Sequence, residues 1–175
     1  MKNFYEFLEQ EARKDGIEKI VVGGVVQNKK GEILLLTRKA DDFMPNIDEL
    51  PSGNLEKGEG IHTGLLREIS EETGIEDINI DGYIDFFDYK SGSGKNARQY
   101  NFAISTKAEQ VILSEHVGFK WQTPEQAIEN ENATLPVKRT IAIFYFNEQA
   151  KQKQQSKKKG TVAVTKPTAK QKNCD

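Results

Sequence analysis

Between residues 3 and 14, Phe4, Phe7 and Leu8 interleave with Glu, Lys and Arg at helical spacing. That pattern predicts a short amphipathic helix, stopped by Gly16. From Ile17 to Gln27 the chain turns β-branched and strand-like, with Gly23-Gly24 inside the run. Glycines within a strand mark a bulge or a close backbone approach. Asn28-Lys29-Lys30-Gly31 reads as a hairpin turn, and residues 32 to 38 as the buried returning strand. Residues 41 to 54, with Pro45, Pro51 and Gly53, read as loop. A helix is expected from Ile61 to Thr73, ended by Gly74. Strands follow at 77–89 and 98–106, joined by Ser91-Gly92-Ser93-Gly94, and a short one carries Phe119 and Trp121. Thr123-Pro124-Glu125-Gln126 is a capping box, with Pro at the first helical position, opening a helix to about Asn130. A last helix spans 136–151, with Val137, Ile141, Phe144 and Tyr145 on one side.

Strands, an interrupting helix, more strands and a closing helix predict an α/β (α+β) sandwich around a mixed sheet. No internal repeat is visible. Order alone carries no function.

Charge changes this picture at one end. Residues 151–175 hold eight lysines and one acid, while residues 1–150 hold 17 basic and 26 acidic side chains. An acidic domain over 1–150 and a disordered basic tail over 151–175 are therefore expected. The tail lacks interleaved aromatics, so no specific nucleic-acid recognition is expected of it. The first residues run into charge, with no secretory pattern, and Ile141–Phe146 is too short an apolar run to span a bilayer. A lone cysteine, Cys174, forms no internal disulfide. A cytoplasmic setting fits these features.

The chemistry concentrates in residues 53–75. At ~100° per residue, Glu68, Glu71 and Glu72 fall at about 0°, 300° and 40° around the helix, beside an apolar arc of Leu65, Leu66, Ile69 and Thr73. Three acids so spaced repel one another. A hard divalent cation offsets that repulsion; so does plain solvation of an exposed face. Upstream, Leu50-Pro51-Ser52-Gly53 is a tight turn where glycine lets backbone groups approach a metal or phosphate. Gly64, on the acidic arc, costs ~1 kcal/mol in a helix relative to alanine. It implies either clearance for a substrate or close helix–sheet packing.

These residues resemble the Nudix family, whose box reads G-x5-E-x7-R-E-U-x-E-E-x-G-U, with U a bulky aliphatic residue. Gly53, Glu59, Arg67, Glu68, Ile69, Glu71, Glu72, Gly74 and Ile75 fill every fixed position. Similarity beyond the box is looser and spans roughly 17–147. The resemblance implies an α/β/α sandwich with the box as loop–helix–loop. It implies Glu68, Glu71 and Glu72 as ligands of Mg²⁺ (Mn²⁺ able to substitute), with the Ser52 carbonyl as a further ligand. Glu59 and Arg67 are implied to orient the carboxylates, and Glu115 is a candidate base in a late loop. Homodimers are common in the family.

Weaker candidates are Arg38 and Arg98 for phosphates and Tyr89 or Phe87 for stacking on a base; a surface arginine or a core aromatic is the stronger reading of each. His62 and His116 are not expected to be ligands, since carboxylates already suit a hard metal. The leading expectation is a Mg²⁺-dependent hydrolase that cleaves a diphosphate linkage in a nucleoside di- or triphosphate or a derivative, with nucleotide-pool sanitising as one purpose. The alternatives are a non-catalytic nucleotide or nucleotide-sugar sensor and, from the basic tail alone, an RNA-end hydrolase. Absence of proline between Pro51 and Pro124 disfavours the ADP-ribose-type pattern of the family, and the coenzyme A-type motif is unmatched.

Overall fold

The computed structural model describes residues 2–42 and 44–162. Its elements, in chain order, are α1 (Lys2–Lys14), β1 (Lys19–Gln27), β2 (Ile33–Thr37), β3 (Asp48–Glu49), β4 (Ser52–Asn54), α2 (Ile61–Thr73), β5 (Ile78–Lys90), β6 (Asn96–Thr106), β7 (Gly118–Gln122), α3 (Pro124–Glu129) and α4 (Leu135–Val162). The main path of the sheet runs β3-β2-β1-β6-β5, with β4 paired to β1 and β7 to β2. β1 and β6 are parallel and the other pairs antiparallel, so the sheet is mixed, as expected.

The strands in the middle bury both faces. Val22, Val26, Tyr100, Phe102 and Ile104 pack with Leu8 and Ala12 of α1 and with Ile61, Leu65 and Ile69 of α2. Val25, Leu35 and Ala103 pack on the opposite side with Ala127 of α3 and with Val137, Ile141 and Phe144 of α4. Period-2 alternation in the strands thus feeds two cores. Gly24 is where α2 settles on the sheet: a Cβ there would lie 2.6 Å from Ile104 Cδ1 and 2.9 Å from Ile69 Cδ1.

The register opens the sheet at one point. β1 and β2 pair only at Gln27↔Ile33 and then diverge. β4 fills the gap beside β1 at Val21–Gly23, and β3 lies against the far end of β2. Residues 41–54 therefore hold two short strands where a loop was expected. Their sequences, Asp-Glu and Ser-Gly-Asn, carry no alternating pattern, and it is pairing with β1 and β2 that makes them strands.

Local chemistry places the helix ends. Gly74 caps α2 at φ 68°, and its N–H donates to Ser70 O at 2.8 Å, the left-handed stop that glycine permits. Thr123 closes the expected capping box: its Oγ1 accepts from Gln126 N, and Gln126 Oε1 accepts from Thr123 N at 3.0 Å. α1 differs in detail. Leu8 and Ala12 are its buried residues, while Phe4 and Phe7 stay 40% and 52% exposed. A Tyr100 Oη–H bond to Leu8 O (2.7 Å) sets this rotation.

By internal contacts the chain divides into residues 1–144, which hold the whole sheet, and residues 145–175. α4 continues to Val162 instead of stopping near 151, so residues 151–162 are helical where disorder was expected. Lysine and glutamine are good helix formers, and no proline interrupts the run. The rest of the expected tail, including Cys174, lies outside the described residues. No helix among the described residues is long and apolar enough to cross a membrane.

Candidate active site

Where β1 and β2 part, the acidic face of α2 meets β4. Glu72 is buried, and its Oε2 accepts from Ser52 N at 2.7 Å. Glu68 reaches over Gly53 so closely that a methyl group there would overlap its carboxylate. Glycine at 53 is thus required by proximity, while the same turn aims the Ser52 amide at Glu72.

Arg67 organises the rest. Its Nε and Nη2 bond Glu59 at 2.9 and 2.7 Å, Nη1 bonds Glu68 and Glu71 at 2.9 Å each, and Nη2 also donates to Asn54 O at 2.9 Å. All five guanidinium N–H groups are engaged. Glu59 further accepts from Glu56 N at 3.0 Å. Hydrogen bonds from Arg67 and then from that amide hold the Glu59 carboxyl down at about 2. Its carboxylates, Glu59 first, raise the Arg67 guanidinium above its ordinary value.

The other acids are driven the opposite way. Burial pushes Glu72 up to about 8, against the Ser52 hydrogen bond, and Glu49, Glu68 and Glu115 add repulsion. Burial also raises Glu68, with Arg67 opposing. Glu71 is 60% exposed at the rim. Every donor gathered here is an oxygen, a set suited to a hard cation. Among the described residues, no three acidic, histidine or cysteine side chains enclose an ion as they stand; Arg67 Nη1 bonds both Glu68 and Glu71.

The acids open into a cleft of about 650 Å³ lined also by Arg38, Tyr89, Phe87, Gln99, Glu115 and His116. Arg38 lies in its wall with Nε 2.5 Å from Glu49 Oε1. Tyr89 and Phe87 are neighbours on β5, ring centroids 6.1 Å apart. Glu115 sits in the segment before β7, which is tied down on both sides: Ser114 Oγ donates to Glu71 O (2.7 Å) and Val117 N to Thr37 O (3.0 Å). A second cavity of about 660 Å³ lies beside Tyr5, Ile61 and Ile80. It has mostly apolar walls and none of the box carboxylates.

Two expectations are corrected. Arg98 does not line the cleft. It is buried on the opposite face of β6, bonding Asp88 at 2.7 and 2.8 Å and Asp15 at 2.8 Å, with its guanidinium 4.2 Å from the Phe86 ring centroid. Strand alternation sends Gln99 to the cleft and its neighbour Arg98 away from it. Gly64 does not clear space for a substrate: a Cβ there would overlap Leu55 and press on Glu59. It lets the 55–59 loop close against α2. His116, set aside as a ligand, is part of the wall; its Nε2 lies 3.0 Å from Glu49 Oε1, and its buried Nδ1 meets no partner among the described residues. Glu49 and Gln99 were missed, since nothing in their local sequence distinguishes them from ordinary strand polar residues.

Known proteins are similar to this chain in sequence and in fold. Over 125 residues, 69% of this chain and 73% of the other, the sequence is 32% identical to a MutT-like protein of Streptomyces ambofaciens. Over 52 residues, 30% of this chain and 40% of the relative, it is 40% identical to the 8-oxo-dGTP diphosphatase of Escherichia coli. The match takes in less than half the length of that relative and of an Arabidopsis thaliana Nudix hydrolase. Among solved structures, the MutT protein from Methanosarcina mazei superposes with a TM-score of 0.67 at 25% identity, covering 74% of this chain and 94% of that one. A Caenorhabditis elegans Ap4A hydrolase shares the fold, with a TM-score of 0.65 at 24% identity, covering 75% and 98%. The NUDIX domain model matches residues 18–146, and with the box residues running from β4 across α2 to the residues just past its end, this chain belongs to the NUDIX family.

Proposed function

We propose that this chain is a Mg²⁺-dependent hydrolase that cleaves the diphosphate linkage of a nucleoside di- or triphosphate or a nucleoside-diphosphate derivative. The observation that carries the reading is the crowding of Glu72 and Glu68 at the split in the sheet, over a backbone that Gly53 keeps bare. Crowded acids raised above their ordinary values are stabilised by a divalent cation, and the all-oxygen set fits one. Glu68, Glu71 and Glu72 would hold it, with the Ser52 carbonyl as a further oxygen. A bound cation there supplies Lewis-acid stabilisation of phosphate charge and acidifies bound water.

The chain's own groups do the rest. Arg67 and Glu59 orient the carboxylates. Glu115 accepts the proton of the attacking water. Water oxygen bonds to one phosphorus, the bridging P–O bond breaks, and the leaving phosphate departs with that electron pair. Arg38 in the cleft wall faces the phosphates, and Tyr89 offers an aromatic surface to the base. The 8-oxo-dGTP diphosphatases among the relatives support nucleotide-pool sanitising as a purpose. The complete set of box acids supports an enzyme over a silent sensor.

Purified protein is incubated with Mg²⁺ and a panel of nucleotides, dinucleotides, nucleotide sugars and oxidised dNTPs, and products are identified by mass spectrometry. The expected result is diphosphate cleavage that requires Mg²⁺ and is lost in Glu72→Gln. Tight binding of a panel member with no cleavage would overturn the reading in favour of a sensor.

A further inference from the structure

β6 carries a relay of side chains whose direction is set at one end. The register places Val21, Gln99 and Phe87 side by side across β1, β6 and β5, and Gly23 and Asn101 in the next row, beside Asp85. Asp85, as a carboxylate, can only accept hydrogen bonds. Asn101 Nδ2 donates to Asp85 Oδ1 (3.0 Å) and to Thr140 Oγ1 (3.3 Å), and Thr140 Oγ1–H donates to Asp85 (3.0 Å). Both amide protons of Asn101 are thereby used, so its Oδ1 is an acceptor. Gln99 Nε2 fills it at 2.9 Å.

The orientation of Gln99 follows. With its Nε2 turned inward, its Oε1 is the atom left over, and among the described residues no donor meets it. Gln99 lines the cleft, whereas Asn101 and Thr140 are wholly buried. Space for the relay is made by β1: a Cβ at Gly23 would lie 2.7 Å from Gln99 Nε2 and 3.1 Å from Asn101 Oδ1. A network serving stability alone would gain nothing from a fixed acceptor at the cleft surface beside Phe87.

We propose that Gln99 Oε1 is a specificity-determining acceptor that selects a nucleotide base bearing an exocyclic amino group over its deaminated counterpart. This rests on the nucleotide reading of the cleft. An amino group supplies the donor that Oε1 lacks. The deaminated base puts a carbonyl oxygen there, and two acceptors face each other unpaired. Asp85, Thr140 and Asn101 are positioning residues: they touch no base and act by holding the amide of Gln99 one way round.

The test is equilibrium binding by titration calorimetry with matched monophosphates: AMP against IMP, CMP against UMP, GMP against XMP. Binding needs no turnover, so it separates this inference from the hydrolase reading. The wild type is expected to favour the amino member of at least one pair by roughly tenfold, and Gln99→Leu to bring that ratio under about threefold by weakening the amino member. Asp85→Asn gives an independent readout, because it can donate to Asn101. When it does so, Asn101 and Gln99 both turn over, and Nε2 faces the cleft. The preference is expected to vanish or reverse while the fold persists, and this variant carries the test if Gln99→Leu does not fold. Equal affinities within every pair in the wild type, or a preference that survives both substitutions, would overturn the proposal. An amino preference in a protein that cleaves no nucleotide would overturn the hydrolase reading instead.

Discussion

The Glu68 carboxylate occupies the space that a side chain at residue 53 would need. β4 and α2 meet through that contact, and the acids of the helix reach the cleft because the strand beneath them is bare there. Gly53→Ala should therefore displace Glu68 without touching either hydrophobic core. We expect turnover to fall by about 10²-fold and Mg²⁺ affinity to drop, with a cooperative melt retained. Wild-type turnover in Gly53→Ala would show that Glu68 has no fixed place in the site.

Arg67 spends all five N–H donors on Glu59, Glu68, Glu71 and Asn54 O. Lysine keeps the charge but brings three donors in no fixed plane. Arg67→Lys is expected to lower kcat by about 10–100-fold, the usual effect of losing a group that orients metal-binding side chains. An unchanged kcat would make Arg67 a surface ion-pair partner only.

Glu72 has its folded-state pKa raised to about 8, through burial first. In an unfolded chain it ionises in the ordinary carboxylate range. The metal-free fold therefore holds this proton more tightly than the unfolded chain does. The stability that depends on it is complete below the ordinary carboxylate pKa and is lost as pH rises towards 8. Melting temperature in EDTA should fall over that window, and Glu72→Gln should flatten the slope. Parallel pH profiles for the two proteins would refute the assignment.

Glu115 lines the cleft and adds to the charge around Glu72, in a segment anchored by Ser114 and Val117. Replacing it with glutamine should slow turnover by about 10²-fold if it takes the proton from water, with metal affinity little altered. Turnover at the wild-type rate would remove it from the mechanism.

Arg98 bonds Asp88 and Asp15 away from the cleft. Its partners are about half exposed, which weakens the pairs relative to fully buried ones. Arg98→Ala should destabilise the fold by roughly 1–3 kcal/mol and leave KM near wild type. A large rise in KM with unchanged stability would return Arg98 to the substrate site.

Much of this molecule is legible one residue at a time. The acids at 68, 71 and 72, Arg67 between them and Glu59, and the glycine stop at 74 can all be read along the chain, because a helix converts spacing directly into a shared face. The Thr123 capping box is legible for the same reason: its partners are three residues apart. The two-residue β3 and three-residue β4 are not, since neither has a pattern of its own. The same limit hid Glu49, whose role depends on Arg38 and His116 arriving from segments distant in the chain.

By itself, the sequence determined the elements that rest on local periodicity and capping, and the set of acids that belongs on one helix. Only the tertiary structure decided which side of each strand faces the cleft: that Gln99 enters it and Arg98 leaves it, that Gly64 packs a loop, and that Gly23 and Gly53 are bare to admit Gln99 and Glu68. The physical reason is that local structure follows from short-range sterics and hydrogen bonds within a few residues. A strand's inward face is set by register against partners distant in the chain, and a one-residue slip in register would exchange the two faces.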